Sequence, residues 1–221
     1  DEARRLLEQA TASGVSLIYQ AWIPGPMEAT LLFDGFMDRH GIVRGVIARR
    51  RLRVHPEPIG NTVSSVTIPL AGVAEPLARL RELLTAVSYR GAFNAEFKRD
   101  PDDGQFKILE VNARPAWYVG TIASAGVDIP WMVYRDAQGL PVPDATEYRV
   151  GRYAVVEPRD VRAIAIALRS ARLPRGPVIR PWLFGDHTHF WWSDPFPAFN
   201  GIRRALRRLI RGGRRAPASR T

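Results

Sequence analysis

The sequence contains no cysteine, which excludes a disulfide framework, a catalytic thiolate and any thiolate-ligated metal. It also lacks a secretory signal peptide and any apolar run long enough to span a bilayer. These absences fit a reducing compartment, so we expect a cytoplasmic protein. Residue 1 is Asp rather than Met, and we therefore expect a fragment or a processed product.

The composition supports a folded protein with a basic C-terminus. Apolar residues make up 46% of the 221 residues, enough for a real core in one large domain or two small ones. The net charge is +10, from 32 basic against 22 acidic residues, which favours anionic partners such as a nucleotide, a phosphorylated substrate, nucleic acid or a membrane. Much of the excess lies in Arg203, Arg204, Arg207, Arg208, Arg211, Arg214, Arg215 and Arg220.

Periodicity and turn signals predict an α+β fold with an antiparallel sheet flanked by helices. A soft boundary falls near residues 140–147, and residues 174–200 are expected to be irregular. We expect helices over 2–12, 73–88, 117–139 (in two pieces), 159–171 and 202–211. We expect strands over 15–23, 28–36, 42–53, 62–70, 92–98, 105–112 and 148–156.

Residues 91–115, GAFNAEFKRDPDDGQFKILEVNARP, carry the most informative polar pattern. Side chains two apart on a strand share a face, so Glu110 and Asn112 point the same way. Glu96 shares a face of the preceding strand with two further polar residues. The turn-rich RDPDDG favours an antiparallel hairpin, which would place Glu96 beside Glu110 and Asn112. The face with Glu96 also carries Asn94 and Lys98, and the opposite face is expected to carry Phe93, Phe97, Leu109 and Val111.

Two carboxylates and an amide oxygen form a set of hard ligands that suits Mg²⁺ completed by phosphate and water. The set contains no Cys or His, which argues against zinc. Arg114 and Lys98 would add positive charge, as phosphoryl transfer requires. Any one of these acidic residues alone is more often an exposed strand residue, but their combination in an apolar hairpin favours a site.

The pattern AEFKRD followed by ILEVNARP resembles the metal-binding hairpin of the ATP-grasp superfamily, especially the carboxylate–amine ligase branch with D-aspartate ligase-like proteins. This resemblance implies that Glu96, Glu110 and Asn112 hold Mg²⁺ on the phosphates of ATP, with two ions expected and Mn²⁺ as a substitute. It also implies that Arg114 steadies the transferring phosphoryl group, and we assign Lys98 to the same catalytic set.

Residues 19–33, YQAWIPGPMEATLLF, resemble the hinge strand that holds adenine in this superfamily. The resemblance implies that the backbone of Ala21 and Ile23 binds the adenine edge, with Gln20 near the adenine amino group. Glu28 would bind the ribose hydroxyls. Relatives commonly carry an acidic residue in the hinge, and this chain departs from that pattern at Gln20 and Ala21.

Residues 48–70 resemble the basic strand and loop that supply a cationic contact to phosphate or substrate. Arg51 and Arg53 share one face of this strand, and Arg50 lies on the other. At least one of these arginines is expected to be merely solvated.

The resemblance implies an ATP- and Mg²⁺-dependent ligase that joins a carboxylate to an amine or thiol through an acyl-phosphate. The expected divisions are an ATP-grasp C-terminal catalytic lobe over 1–145, an extension over 146–201, and a basic amphipathic helix with a disordered tail over 202–221. Complete relatives carry an N-terminal lobe before this region. We expect that lobe to be a required partner and the present chain alone to be inactive.

Two alternatives stay open at this point. The chain could be a non-catalytic or degenerate nucleotide-binding module, or a basic binder acting through its C-terminal helix. That helix places Ile202, Ala205, Leu206, Leu209 and Ile210 on one stripe, which favours docking on the body over peripheral association with an anionic membrane. Nucleic acid is the less favoured partner. Packing is likewise favoured over metal binding for Asp186, His187 and His189.

Overall fold

The computed structural model describes residues 2–17, 20–57, 60–170, 177–188, 190 and 194–212, without the side chains of residues 3, 198, 205 and 208–212. The strands are β1 (Thr30–Met37), β2 (Val43–His55), β3 (Asn61–Ile68), β4 (Gly91–Arg99), β5 (Phe106–Asn112), β6 (Tyr153–Val155) and β7 (Asp186–His187). The α-helices are α1 (Glu2–Ala12), α2 (Ala74–Ala86), α3 (Val119–Ala125), α4 (Ile129–Ala137), α5 (Glu157–Arg169), α6 (Ile179–Phe184) and α7 (Phe196–Gly212). Short 3₁₀ turns cover Met27–Ala29 and Leu70–Val73.

The strands form one sheet in the order β5-β4-β1-β2-β3-β6-β7. Every neighbouring pair is antiparallel except β6 and β7, which are parallel. A parallel pair requires a crossover connection, and here α5 and α6 lie in that connection. The predicted α+β class with a sheet flanked by helices is confirmed. Because β6 and β7 continue the sheet, residues beyond 145 complete the same layer as the predicted catalytic lobe.

Alternation along the strands gives the sheet two differently packed faces. Leu31 and Phe33 pack with helix α2 in one buried cluster. Phe36 and Ile47 pack with α3 and α4 in the other. Because side chains two apart share a face, Asp34 and Leu32 lie on the α3–α4 side of β1. The polar half of that side carries the candidate site.

Two predictions of local structure are wrong. The described residues of 15–23 form no strand, because apolar composition favours burial but a strand also requires a paired neighbour, and this segment has none among the described residues. Residues 174–200 were expected to be irregular, yet they include α6, β7 and the first turn of α7.

Candidate functional site: an acidic cluster beside a cavity

The acidic cluster consists of Glu96 on β4 and Glu110 and Asn112 on β5. Glu96 lies directly opposite Glu110 in the antiparallel register, and Asn94 lies opposite Asn112. Opposed residues share a face, so the side chains converge. Asn112 Nδ2 donates to Glu110 Oε1 at 2.8 Å and to Asn94 Oδ1 at 3.4 Å. The predicted convergence of these side chains is confirmed, while their role in metal binding stays a prediction.

A β-bulge lies within the cluster. The register shifts between Glu96 and Phe97, which leaves Leu109 as an extra residue on β5. Leu109 was expected on the apolar face with Phe93 and Phe97, but it lines the cavity beside the cluster instead. Its carbonyl accepts a hydrogen bond from Gln20 Nε2 at 2.9 Å. The bulge therefore anchors the segment that precedes the sheet.

Arg51 supplies the positive charge closest to the cluster. Its Nη2 donates to Glu96 Oε2 at 2.5 Å and its Nε to Thr62 Oγ1 at 2.7 Å. Burial raises the pKa of Glu96 against the opposing effect of Arg51, and the charge of Glu110 adds to the rise.

The cluster retains acceptor capacity for a cation. Glu96 Oε1 and Glu110 Oε2 accept no hydrogen bond from the described residues. Among all the residues that the structure describes, no group of three His, Cys, Asp or Glu side chains could hold a metal ion. A hard cation would therefore depend on Asn112 as the third protein ligand, and its amide would have to turn Oδ1 toward the ion. With that rotation the residues fit Mg²⁺.

A cavity of about 560 Å³ opens beside the cluster. Lys98, which is buried, spans its wall: Nζ donates to the carbonyl of Ile23 at 2.8 Å and lies 5.1 Å from the centre of the Trp22 ring. Burial lowers the pKa of Lys98, and the charge of Arg51 lowers it further. The lining residues are Gln20, Ala21, Trp22, Ile23, Met27, Arg51, Gly60, Asn61, Glu96, Lys98, Leu109 and Glu110.

Four predicted site residues lie outside this lining, and one of them is Asn112 of the acidic cluster. Glu28 follows Met27 in the 3₁₀ turn, and Arg114 is exposed beyond β5, with Nη1 3.4 Å from the carbonyl of Pro115. Arg53 was predicted to contact phosphate or substrate, but its side chain is engaged elsewhere. Its Nε and Nη2 donate to the two oxygens of the fully buried Asp160 at 2.6 and 2.7 Å, and Nη1 donates to Pro177. These hydrogen bonds hold the guanidinium against α5, so it does not reach the cavity.

The site is supported by a buried polar network that sequence reasoning missed. Arg49 donates from Nε and Nη2 to Asp34 Oδ2, at 2.9 and 2.8 Å, and both side chains are almost fully buried. Asp34 Oδ1 accepts from Asn94 at 2.8 Å, and Asn94 in turn contacts Asn112. The Tyr118 ring lies 3.8 Å below the guanidinium of Arg49. Alternation along β2 was the available signal, because it places residues 47, 49 and 51 on one face.

A second cavity, of about 470 Å³, lies where the chain continues past Arg114. Asp186 stands in its wall but is already engaged, since it accepts from Ser124 and from Arg152, each at 2.6 Å. The hydrogen bond to Glu157 raises the pKa of His187 despite partial burial. His189 lies outside the described residues. The lining residues are Trp117, Tyr118, Gly120, Thr121, Ser124, Gly185, Asp186, His187, Thr188 and Phe190.

No protein-family model and no curated protein matches the chain. Among solved structures, it is similar to the biotin carboxylase domain of a thermophilic 2-oxoglutarate carboxylase bound to bicarbonate, with 20% identity over 66% of this chain and 33% of that one (TM-score 0.51). A biotin carboxylase–β,γ-ATP complex from Campylobacter jejuni gives 21% identity, the same coverages and a TM-score of 0.49. The phosphoribosylaminoimidazole carboxylase ATPase subunit from Aquifex aeolicus gives 19% identity over 58% of this chain and 40% of that one (TM-score 0.46).

The TM-scores of the last two matches are below 0.5. The chain spans about a third of the length of the two biotin carboxylase chains. At this level of identity the first match speaks for the fold and not for the reaction. Over about two thirds of its length, the chain therefore has a fold similar to that of a biotin carboxylase domain.

Proposed function

We propose that the protein is an ATP- and Mg²⁺-dependent ligase that joins a carboxylate to an amine or thiol through an acyl-phosphate. The observation that carries this proposal is the acidic cluster, whose Glu96 and Glu110 line a nucleotide-sized cavity, with the segment 20–23 forming another part of its wall. A volume of about 560 Å³ lies within the usual range of small-molecule sites. The ATP-grasp fold supports the proposal by analogy.

ATP would lie in this cavity with its base against residues 20–23. Ala21 and Trp22 line the cavity there, and Lys98 already holds the carbonyl of Ile23. The backbone of Ala21 and the N–H of Ile23 would therefore bind the adenine edge. Lys98 acts in this proposal as a positioning residue that fixes the segment. Glu28, one residue beyond the lining residue Met27, keeps its proposed contact to the ribose.

The triphosphate would extend toward the acidic cluster. Glu96, Glu110 and Asn112 would hold Mg²⁺ on its oxygens; two ions are proposed, with Mn²⁺ as a substitute. The chemistry supplied there is neutralisation of phosphate charge. Arg51 would contribute from the cavity wall and Arg114 from the solvent side, where no carboxylate among the described residues engages its guanidinium.

The substrate carboxylate would attack the γ-phosphorus, and ADP would leave. An amine would then attack the acyl carbon and lose a proton as inorganic phosphate departs. We place the carboxylate substrate in the second cavity, which begins three residues after Arg114. Tyr118 forms part of its wall and packs beneath Arg49, so this cavity and the acidic cluster share one supporting network.

Glu110→Gln tests the metal assignment. The change removes one charge from the cluster and leaves the neighbouring fold intact, because Glu110 is exposed. Mutating a residue that only hydrogen-bonds to a metal ligand typically lowers metal affinity about 10–100-fold. Loss of a ligand itself should therefore weaken Mg²⁺-dependent ATP binding by at least that much. Isothermal titration with and without Mg²⁺ measures binding, and coupled ADP release in the full natural chain measures turnover.

Glu82→Gln is the matched control, since Glu82 is exposed on α2, which packs on the opposite face of the sheet. It should leave both readouts unchanged. If Glu110→Gln bound Mg²⁺–ATP as tightly as the unmodified protein, the metal assignment would be wrong. Mg²⁺-dependent binding that never leads to ADP release, across amino acids and small carboxylates, would select the non-catalytic alternative.

The proposed reaction also bears on where the protein acts and on what completes its nucleotide site. It uses cellular ATP, so we propose a cytoplasmic location. We further propose that an N-terminal lobe completes the nucleotide site, because the second lobe implied by the family resemblance would cover the triphosphate. Adding that lobe as a separate chain should increase ADP release if this is correct.

A further inference from the structure

Exposed apolar side chains are concentrated on α6 and the start of α7. Phe196 and Ile179 have the highest exposures among the large hydrophobic residues of the described chain, at 72% and 71%. Leu183, Phe184 and Phe199 are each more than 60% exposed. An apolar group of this kind on adjacent helices marks an interaction surface more often than isolated exposed residues do.

These side chains lie on two helices that border one cleft. Leu183 of α6 and Phe199 of α7 line the same cleft, of about 380 Å³, between the two helices. Phe196 lies one turn before Phe199, and Ile179 lies one turn before Leu183, so each pair shares a helix face. We call these residues, with Phe184, the apolar surface.

Helix α7 turns this surface outward. It packs on α5 at Gly201, where a Cβ would lie 2.8 Å from the Pro158 ring. Each residue advances about 100° around a helix, so Phe199 and Arg203, two positions from Gly201, lie about 160° from it. Phe196, Leu206 and Arg207 also lie more than about 100° away by the same count. Helix α7 therefore docks on α5 only through the side that carries Gly201. In the stripe predicted to dock, the side chains of Ala205, Leu209 and Ile210 lie outside the described part of the structure.

The outward side is also basic. Arg203 and Arg207 are exposed next to Phe199 and Leu206, and they form no ion pair with any residue in the described ranges. Arg180 is exposed on α6. This arrangement places exposed apolar side chains beside arginines that form no ion pair in the described ranges.

We propose that α6 and α7 bind the surface of an anionic lipid membrane. Interfacial helices place aromatic and aliphatic side chains in the acyl boundary and arginines at the headgroups, and this surface presents both. Nucleic acid would engage the arginines but leave Ile179 and Leu183 in water. No helix in the described ranges is long and apolar enough to cross a bilayer, so the helices would lie on the surface.

Co-sedimentation of the full chain with vesicles tests the proposal. Vesicles containing phosphatidylglycerol should bind the protein, phosphatidylcholine vesicles should bind it much less, and added salt should weaken binding. Phe196→Ser combined with Phe199→Ser should reduce partitioning at least about tenfold, because two aromatic groups lose their burial. Arg203→Gln and Arg207→Gln should each reduce it about fivefold.

Trp131→Ser combined with Tyr134→Ser is the matched control, because these exposed, stacked aromatic rings lie on α4, outside the apolar surface. It should bind vesicles normally. Equal binding to both vesicle types, or retention by the Phe variant, would overturn the proposal. If the Phe variant lost self-association instead, the surface would be an interface between copies. Should the Phe variant unfold, the exposed arginine variants still decide the question.

Discussion

Two arginines on one strand show how the same residue type serves different purposes. Arg51 and Arg53 are both buried side chains of β2. Arg53 is held at both oxygens of a carboxylate that is itself sealed from solvent. Arg51 engages one oxygen of Glu96, which lines the cavity, and the other oxygen accepts no hydrogen bond from the described residues. A saturated ion pair fixes the fold, whereas a half-satisfied carboxylate next to a cavity is available to a ligand.

Arg53→Met should produce the largest loss of stability. It leaves Asp160 buried and without its main partner, which typically costs about 3–5 kcal/mol. Urea unfolding measures the change. Arg53→Met combined with Asp160→Leu should recover most of the loss, because an apolar replacement of the whole pair removes the unpaired charge. ATP affinity should be unchanged in the double variant, and a clear drop there would mean that Arg53 does contribute to the nucleotide site.

Arg51→Met should show the opposite profile. Loss of its hydrogen bonds to Glu96 and Thr62 should cost about 1–3 kcal/mol in unfolding free energy. The affinity for Mg²⁺–ATP should fall about 10–100-fold, since a charged hydrogen bond to phosphate typically contributes about 1.5–3 kcal/mol. Titration calorimetry beside the urea data separates the two effects. A stability loss larger than that of Arg53→Met, with normal ATP binding, would contradict the assignment.

The pair of His187 and Glu157 is intermediate, because the carboxylate is buried and the imidazole partly exposed. The pKa of His187 is raised in the folded state by this hydrogen bond. Its stabilising effect is therefore fully present below the unfolded pKa of about 6.5 and is lost as pH rises through the folded value. Comparing His187→Gln with the unmodified protein from acidic to mildly alkaline pH should show a difference of under about 1 kcal/mol that shrinks as pH increases. A difference that grew with pH would refute the sign.

The acidic cluster could be predicted in part, because its two strands are neighbours in the chain and a short turn joins them. The register set at the turn alone would place Glu96 opposite Leu109, and it is the bulge, which the polar pattern does not encode, that brings Glu96 opposite Glu110. The Arg53–Asp160 pair could not be predicted in this way, since its partners are 107 residues apart in the chain. The burial of Asp34 and Arg49 could not be predicted, because charged residues are by default exposed and only the packed structure shows these two buried together. The course of residues 20–23 depends on side-chain anchors from distant strands, which the apolar pattern does not encode.

The bulge at Leu109 has a consequence for the outer border of the sheet. Strand β5 is the first in the strand order, so one side of its backbone has no neighbouring strand in the described chain. A flat, uninterrupted border of this kind invites strands of other molecules to add to it. Here the extra residue disrupts the regular spacing of donors and acceptors, and Gln20 occupies its carbonyl. The irregularity that shapes the site thus also protects the molecule against aggregation through that border.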